Sequence, residues 1–152
     1  MRRWSVLLFI LLLSVPLSAQ ESTEEPTIPD PMPLVDTGEQ DITNILLIGS
    51  ATEHNSYDMG LTDTLMVVSV NQSAEHVAVV SIPRDLYVYA EGEGMVTINQ
   101  VYFMAERHEM GSGIAALKSA ITYNLGLEID YYARVDFDEF SSLVDLVGGV
   151  DI

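Results

Sequence analysis

Arg84 and Asp85 follow directly on Pro83, and Pro83 closes an apolar, mostly β-branched run from Val77 to Ile82. Such a run reads as a strand buried on both faces. Proline ends it, because it has no N–H for a ladder and holds its own φ fixed. A guanidinium and a carboxylate are thereby set at the mouth of a strand, where an open sheet binds its ligand. Thr64 to Val70 is a second strand-forming run, separated from the first by Asn71 to His76. The two make a hairpin with Gln72-Ser73-Ala74-Glu75 as its loop. Closing it there pairs Val70 with Val77, Val67 with Val80 and Leu65 with Ile82, and one further step sets Asp63 opposite Arg84. Asp63 and Arg84 are therefore expected on one rim of a sheet. A ligand-binding pair and a structural ion pair that caps the hairpin fit these residues equally well.

The elements that must hold this rim are legible on either side of it. Ile42 to Ile48 is predicted as a buried strand ended by Gly49-Ser50, and the polar segment from Ala51 to Leu61 as a loop. After Asp85 the pattern predicts a short strand over Leu86 to Tyr89 and a turn at Glu91-Gly92-Glu93-Gly94. Helices are predicted over Asn99 to His108 and Gly113 to Leu125, the second stopped by Gly126. Ile129 to Val135 reads as a strand. Asp136 to Val147 reads as a helix with Asp136 as N-cap. Asp136, Asp138 and Glu139 open that helix, where acids favour the dipole, so they are not read as a metal cluster. Tyr131, Tyr132, Phe137 and Phe140 are expected in the core rather than along a lipid channel. His54, His76 and His108 lie in separate elements with no metal-ligand spacing. An α/β sheet needs both faces covered, and most of the helical material lies in one block after the hairpin. The domain is accordingly expected to be incomplete at Ile152.

The chain has 152 residues, a formal net charge of −17 and no cysteine. A domain this acidic repels nucleic acid and carries no basic stripe, so nucleic acid is excluded as a partner. Residues 1–19 have the outline of a signal peptide: Arg2 and Arg3, an apolar stretch from Val6 to Val15, and Leu17-Ser18-Ala19 as the cleavage site. That apolar stretch is short for a membrane span, which takes about 20 residues, and an uncleaved anchor is the alternative. Either way the remainder is expected to be exported. Residues 20–40 are acidic, proline-rich and without apolar periodicity, and are read as a disordered or extended linker. The folded part is expected over residues 41–152.

Five blocks of residues, in order, resemble the LytR-CpsA-Psr family. They are Asn44-Ile45-Leu46-Leu47-Ile48-Gly49; Thr62-Asp63-Thr64 with the strand after it; Ser81-Ile82-Pro83-Arg84-Asp85-Leu86-Tyr87; Ile98-Asn99; and Asp130 to Phe137 with Val144-Asp145 and Gly148-Gly149-Val150-Asp151. The resemblance runs from about Asn44 to Ile152 and covers the earlier part of the family domain. It implies an extracytoplasmic three-layer α/β/α fold with a central mixed sheet. It also implies a polyprenyl-pyrophosphate-linked glycopolymer as ligand, transferred to peptidoglycan at the membrane surface with magnesium on the pyrophosphate. By this resemblance Arg84 binds the pyrophosphate and takes a catalytic position, and Asp63 is a magnesium ligand. Asp85 takes a catalytic motif position and Asn99 a substrate-binding one, each expected to hold Arg84 and its loop in place. The chemistry suits the rim, since arginine forks match phosphate oxygens in pairs and a hard metal ion takes carboxylate oxygens. Three positions depart from the family pattern. Ala51 stands in place of an aspartate, Leu61 in place of an arginine, and Thr97 in place of a lysine or arginine. A degenerate or truncated binding module that does not catalyse transfer is the alternative these departures favour.

Overall fold

The computed structural model describes residues 28–50 and 60–150. The signal segment, Ala51 and His54 lie outside the described residues. Strands β1 (Ile42–Ser50), β2 (Thr62–Asn71), β3 (His76–Ile82) and β6 (Tyr131–Val135) form one sheet in the order β3-β2-β1-β6. The β1–β6 pair is parallel and the other two pairs are antiparallel, so the sheet is mixed. The hairpin closes in the predicted register, with Leu65 opposite Ile82, Val67 opposite Val80 and Val70 opposite Val77. Its turn uses Glu75 in a left-handed conformation (φ 50°), and the Asn71 side chain accepts a hydrogen bond from Ala74 N at 2.9 Å. That is turn chemistry for an asparagine.

A second, two-stranded sheet joins β4 (Tyr87–Ala90) to β5 (Gly94–Thr97). Strand β5 was not expected. The predicted turn at Glu91 to Gly94 is the tip of this hairpin, and four residues are too few to show a period. Helices α1 (Ile98–His108) and α2 (Gly113–Leu125) follow, and α3 (Phe137–Leu146) comes after β6. Gly126 ends α2 with φ 68°, the left-handed cap its position predicts. Asp136 caps α3 by accepting from Glu139 N at 2.8 Å, while the Glu139 side chain accepts from Asp136 N at 3.1 Å. This reciprocal pair is a capping box, and it explains the acids that open α3.

The core fills one side of the sheet. Leu46 and Ile48 of β1 alternate with outward residues, as do Leu65 and Val67 of β2, and they pack against Ile98, Val101, Leu117 and Ile121 of α1 and α2. Each such side chain contributes about 1.5–3 kcal/mol on burial. On the other side, Leu47, Met66, Ala133 and Val135 face α3 across an apolar cleft. Helix layer, sheet and α3 make the α/β/α order. Among the described residues no helix is long and apolar enough to cross a membrane.

Two expectations fail here. Strand β3 is not buried on both faces: Val77, Val79 and Val80 are 56%, 61% and 46% exposed, and only Ile82 is buried. It is the edge strand, and the α1–α2 layer covers it no further than Ile82. Composition signals that a strand could be buried, not that a layer lies over it. Nor are Tyr131, Tyr132, Phe137 and Phe140 core residues, since each is more than half exposed, with Tyr132 lowest at 53%.

Residues 28–36 run extended against the end of α2. Met32 N donates to Tyr123 O at 2.8 Å, Val35 N to Gly126 O at 2.9 Å, and the Tyr123 hydroxyl to Pro29 O at 2.6 Å. The proline-rich segment is thus strapped to the domain over this stretch.

Candidate functional site

Strand polarity gathers the charged residues. The C-terminal ends of β1, β3 and β6 and the N-terminal end of β2 lie at one edge of the sheet, because β2 runs against both its neighbours and β6 runs with β1. At that edge the β1–β2 ladder shifts: Gly49 pairs with Thr64 and Ser50 with Thr62. Asp63 is the unpaired residue of a bulge, a device that re-aims a side chain. Thr62 on one side of it is fully buried and donates to the Asn99 carbonyl at 3.3 Å.

Asp63 Oδ1 accepts a hydrogen bond from Arg84 Nη1 at 2.9 Å. Asp85 lies looser, with 3.8 Å between its Oδ1 and Arg84 Nε. The Arg84 and Asp63 side chains are 55% and 36% exposed, so the pair is worth ~0–1 kcal/mol to the fold. Its charges face water. Asn99 is buried near the start of α1: its N–H donates to the Arg84 carbonyl at 3.2 Å, and its Oδ1 accepts from Thr97 Oγ1 at 2.7 Å. Asn99 therefore ties the turn that carries Arg84 to the helix behind it. Leu61, next to this group in the chain, is exposed and brings no charge. Among the described residues no three His, Cys, Asp or Glu side chains gather as a metal cluster.

One rim residue carries no role in the sequence reading. Arg134 lies opposite Ile48 in the β1–β6 ladder. Its Nη2 donates to Ser50 Oγ and its Nη1 to the Tyr102 hydroxyl, both at 3.3 Å, and its guanidinium sits 4.9 Å from the Tyr102 ring centre. Burial, opposed by the Arg134 charge, holds the Tyr102 phenol above its ordinary pKa, and Glu106 adds to the rise. Nothing local in the sequence says that β6 docks beside β1, so Arg134 had no sequence signal that could place it at the rim.

Beside the rim, between the sheet and α3, lies an apolar cleft of about 550 Å³. Leu47, Met66, Phe137, Phe140 and Leu143 line its body, and Ser50, Asp63 and Asp136 its polar margin. Phe137 and Phe140 are therefore cleft residues; Tyr131 and Tyr132 do not line it.

An α/β/α domain with a guanidinium–carboxylate rim above an apolar cleft defines the class of protein. Residues 11–152 match the LytR_cpsA_psr family model, and the chain belongs to that family. A curated relative from Oceanobacillus iheyensis, the polyisoprenyl-teichoic acid–peptidoglycan teichoic acid transferase TagU, is 33% identical over 114 residues, covering 75% of this chain and 35% of the relative. The chain thus spans about a third of the length of the curated relatives it resembles. Among solved structures, TagV of Bacillus subtilis superposes with a TM-score of 0.61 at 27% identity, covering 76% of this chain and 44% of TagV. TagT with bound octaprenyl pyrophosphate lipid superposes at 0.58 and shares the fold at 23% identity, over 78% of this chain and 43% of TagT.

Proposed function

We propose that the rim binds the pyrophosphate of a polyprenyl-linked glycopolymer, with the prenyl chain in the apolar cleft, as part of attaching that polymer to peptidoglycan outside the cytoplasm. The observation that carries this reading is the adjacency of the Asp63–Arg84 pair to the mouth of the cleft. A prenyl pyrophosphate has one end that needs guanidinium or metal and another that needs apolar walls, and the two surfaces here adjoin. Family membership and the TagU relatives support the same class of ligand.

Arg84 offers the pyrophosphate a planar fork of donors. Asp63 would hold a magnesium ion through the oxygen not used by Arg84. One carboxylate fits that ion only where phosphate oxygens and water complete its shell, which is how magnesium is commonly bound beside phosphates. When bound, the ion would supply charge neutralisation to the phosphates. Asn99 holds the Arg84 turn against α1, and Asp85 adds a loose carboxylate beside it.

Binding without transfer is the second reading, favoured by Leu61, Thr97 and Ala51, which bring neither cation nor carboxylate. The first test is a calorimetric titration with geranyl pyrophosphate, with and without magnesium. We expect saturable binding that weakens about 10- to 100-fold in Arg84→Gln, since a charged hydrogen bond contributes ~1.5–3 kcal/mol. Asp63→Asn should lose the magnesium-dependent part. Equal affinity for geraniol and geranyl pyrophosphate would overturn the assignment of the rim.

A further inference from the structure

We infer that Arg134 is a second pyrophosphate-binding cation of this rim, positioned by Tyr102 and Ser50. The inference rests on the proposed prenyl-pyrophosphate reading and extends it to a residue that the sequence left without a role. Arg84 is the cation of the rim that already has carboxylates beside it, Asp63 at 2.9 Å and Asp85 at 3.8 Å. Two carboxylates around one guanidinium leave that group net negative, a poor match for a polyanion. Arg134 differs. Among the described residues its partners are a hydroxyl of Ser50, the hydroxyl of Tyr102 and the ring of Tyr102, all uncharged in the ordinary pH range.

A guanidinium has five N–H donors in a rigid fork, and these two bonds, both long at 3.3 Å, engage only two of them. The ring stack fixes the plane of the fork without neutralising it. Position agrees with chemistry. Ser50 pairs with Thr62, the residue before Asp63, so Arg134 reaches the same bulge that turns Asp63 out. Asn99 and Tyr102 lie three apart on α1, and therefore on one face. Asn99 N–H holds the Arg84 carbonyl while Tyr102 holds Arg134, so one helix start secures both cations. Tyr102 is itself anchored: it is 8% exposed and interacts with Glu106, whose carboxylate accepts from Gly111 N and Gly113 N at 2.8 and 2.9 Å.

The test is the titration of the 152-residue chain with geranyl pyrophosphate, geranyl monophosphate and geraniol, each run on wild type, Arg84→Gln, Arg134→Gln and Arg134→Lys, with a thermal melt of every variant. Arg134→Gln should melt like wild type yet bind geranyl pyrophosphate about 10- to 100-fold more weakly. Arg134→Lys should recover only part, because an ammonium has neither fork nor stacking plane. Geraniol binding should not change, which a merely structural role for Arg134 would not predict. Loss in Arg84→Gln with unchanged affinity in Arg134→Gln would overturn this inference and leave the rim reading standing. Wild type that binds geranyl pyrophosphate no better than geraniol would overturn both. If Arg134→Gln does not melt cooperatively, Arg134→Lys decides: a several-fold loss supports the assignment and unchanged affinity overturns it.

Discussion

Under the proposed function, Arg84 with its two neighbouring carboxylates and Arg134 would meet the ligand at the rim, and the positions that depart from the family pattern bear on how tightly. Leu61 is exposed, and the Thr97 hydroxyl is spent on Asn99 Oδ1 at 2.7 Å, so neither offers charge to a ligand. Supplying charge at these positions should strengthen binding. The combined Ala51→Asp, Leu61→Arg and Thr97→Lys variant is expected to raise magnesium-dependent affinity for geranyl pyrophosphate by at least ~100-fold, at ~1.5–3 kcal/mol for each of the two new cations. The gain is reduced by whatever the lost Thr97–Asn99 bond contributes to holding Asn99. An unchanged isotherm would mean that these positions do not face the phosphates. Tyr102 gives a second test. Burial raises its pKa, so the folded state favours the neutral phenol. Stability from this group is complete below the unfolded phenol's pKa of ~10 and is lost as pH rises through the folded value. Tyr123 is raised as well, by desolvation first and then by Tyr89 and Asp30. Melting temperatures followed across about pH 8 to 11 should therefore fall in wild type and fall less steeply in Tyr102→Phe, which keeps the Tyr123 contribution.

Among the elements, the end of α2 carries the closest constraint. Gly126 has φ 68°, and a Cβ there would stand 2.2 Å from the Pro33 carbonyl oxygen. No rotamer relieves a backbone clash of that size. Gly126→Ala should release the strap of residues 28–36 from α2 and cost at least ~1 kcal/mol from the left-handed conformation alone. Faster hydrogen exchange at Met32 and Val35, whose N–H groups now bond to Tyr123 and Gly126, would show the release; unchanged protection would contradict it. Gly113 is placed as tightly. A Cβ there would come within 2.7 Å of the Tyr102 ring, the same ring on which Arg134 stacks. Helix packing and the second cation of the rim are thus one arrangement.

At the scale of the molecule, charge and the N-terminal segment bear on where the protein acts. A net charge of −17 disfavours approach to nucleic acid and to an anionic membrane, so under the proposed function the ligand's apolar chain and not surface charge would draw the protein to a lipid carrier. Arg2, Arg3 and the apolar stretch after them lead us to expect export, a reading that lies outside the described residues. Signal peptidase is expected to cut near Ala19, and N-terminal sequencing of exported protein should begin at Gln20 or Glu21. Material that still begins at Met1 would point to an uncleaved anchor.

Hairpin register, helix caps and strand ends were written in short stretches of residues. The Val70–Val77 pairing follows from two apolar runs and a polar turn, the α3 cap from Asp136 and Glu139, and the end of α2 from Gly126. These are local effects, settled by neighbours within a few positions in the chain. The meeting of Asp63 with Arg84 belongs with them, because one hairpin carries both. What lay beyond local reach depends on which elements become neighbours across long separations. Docking of β6 beside β1 brought Arg134 to Ser50, 84 positions away in the chain. The bulge at Gly49–Ser50 turned Asp63 toward the cleft, and no pattern in β2 alone records it. The exposed valines of β3 show the same limit from the other side. Hydrophobicity is a property of the strand, whereas burial needs a second layer, and tertiary packing decided where that layer ends.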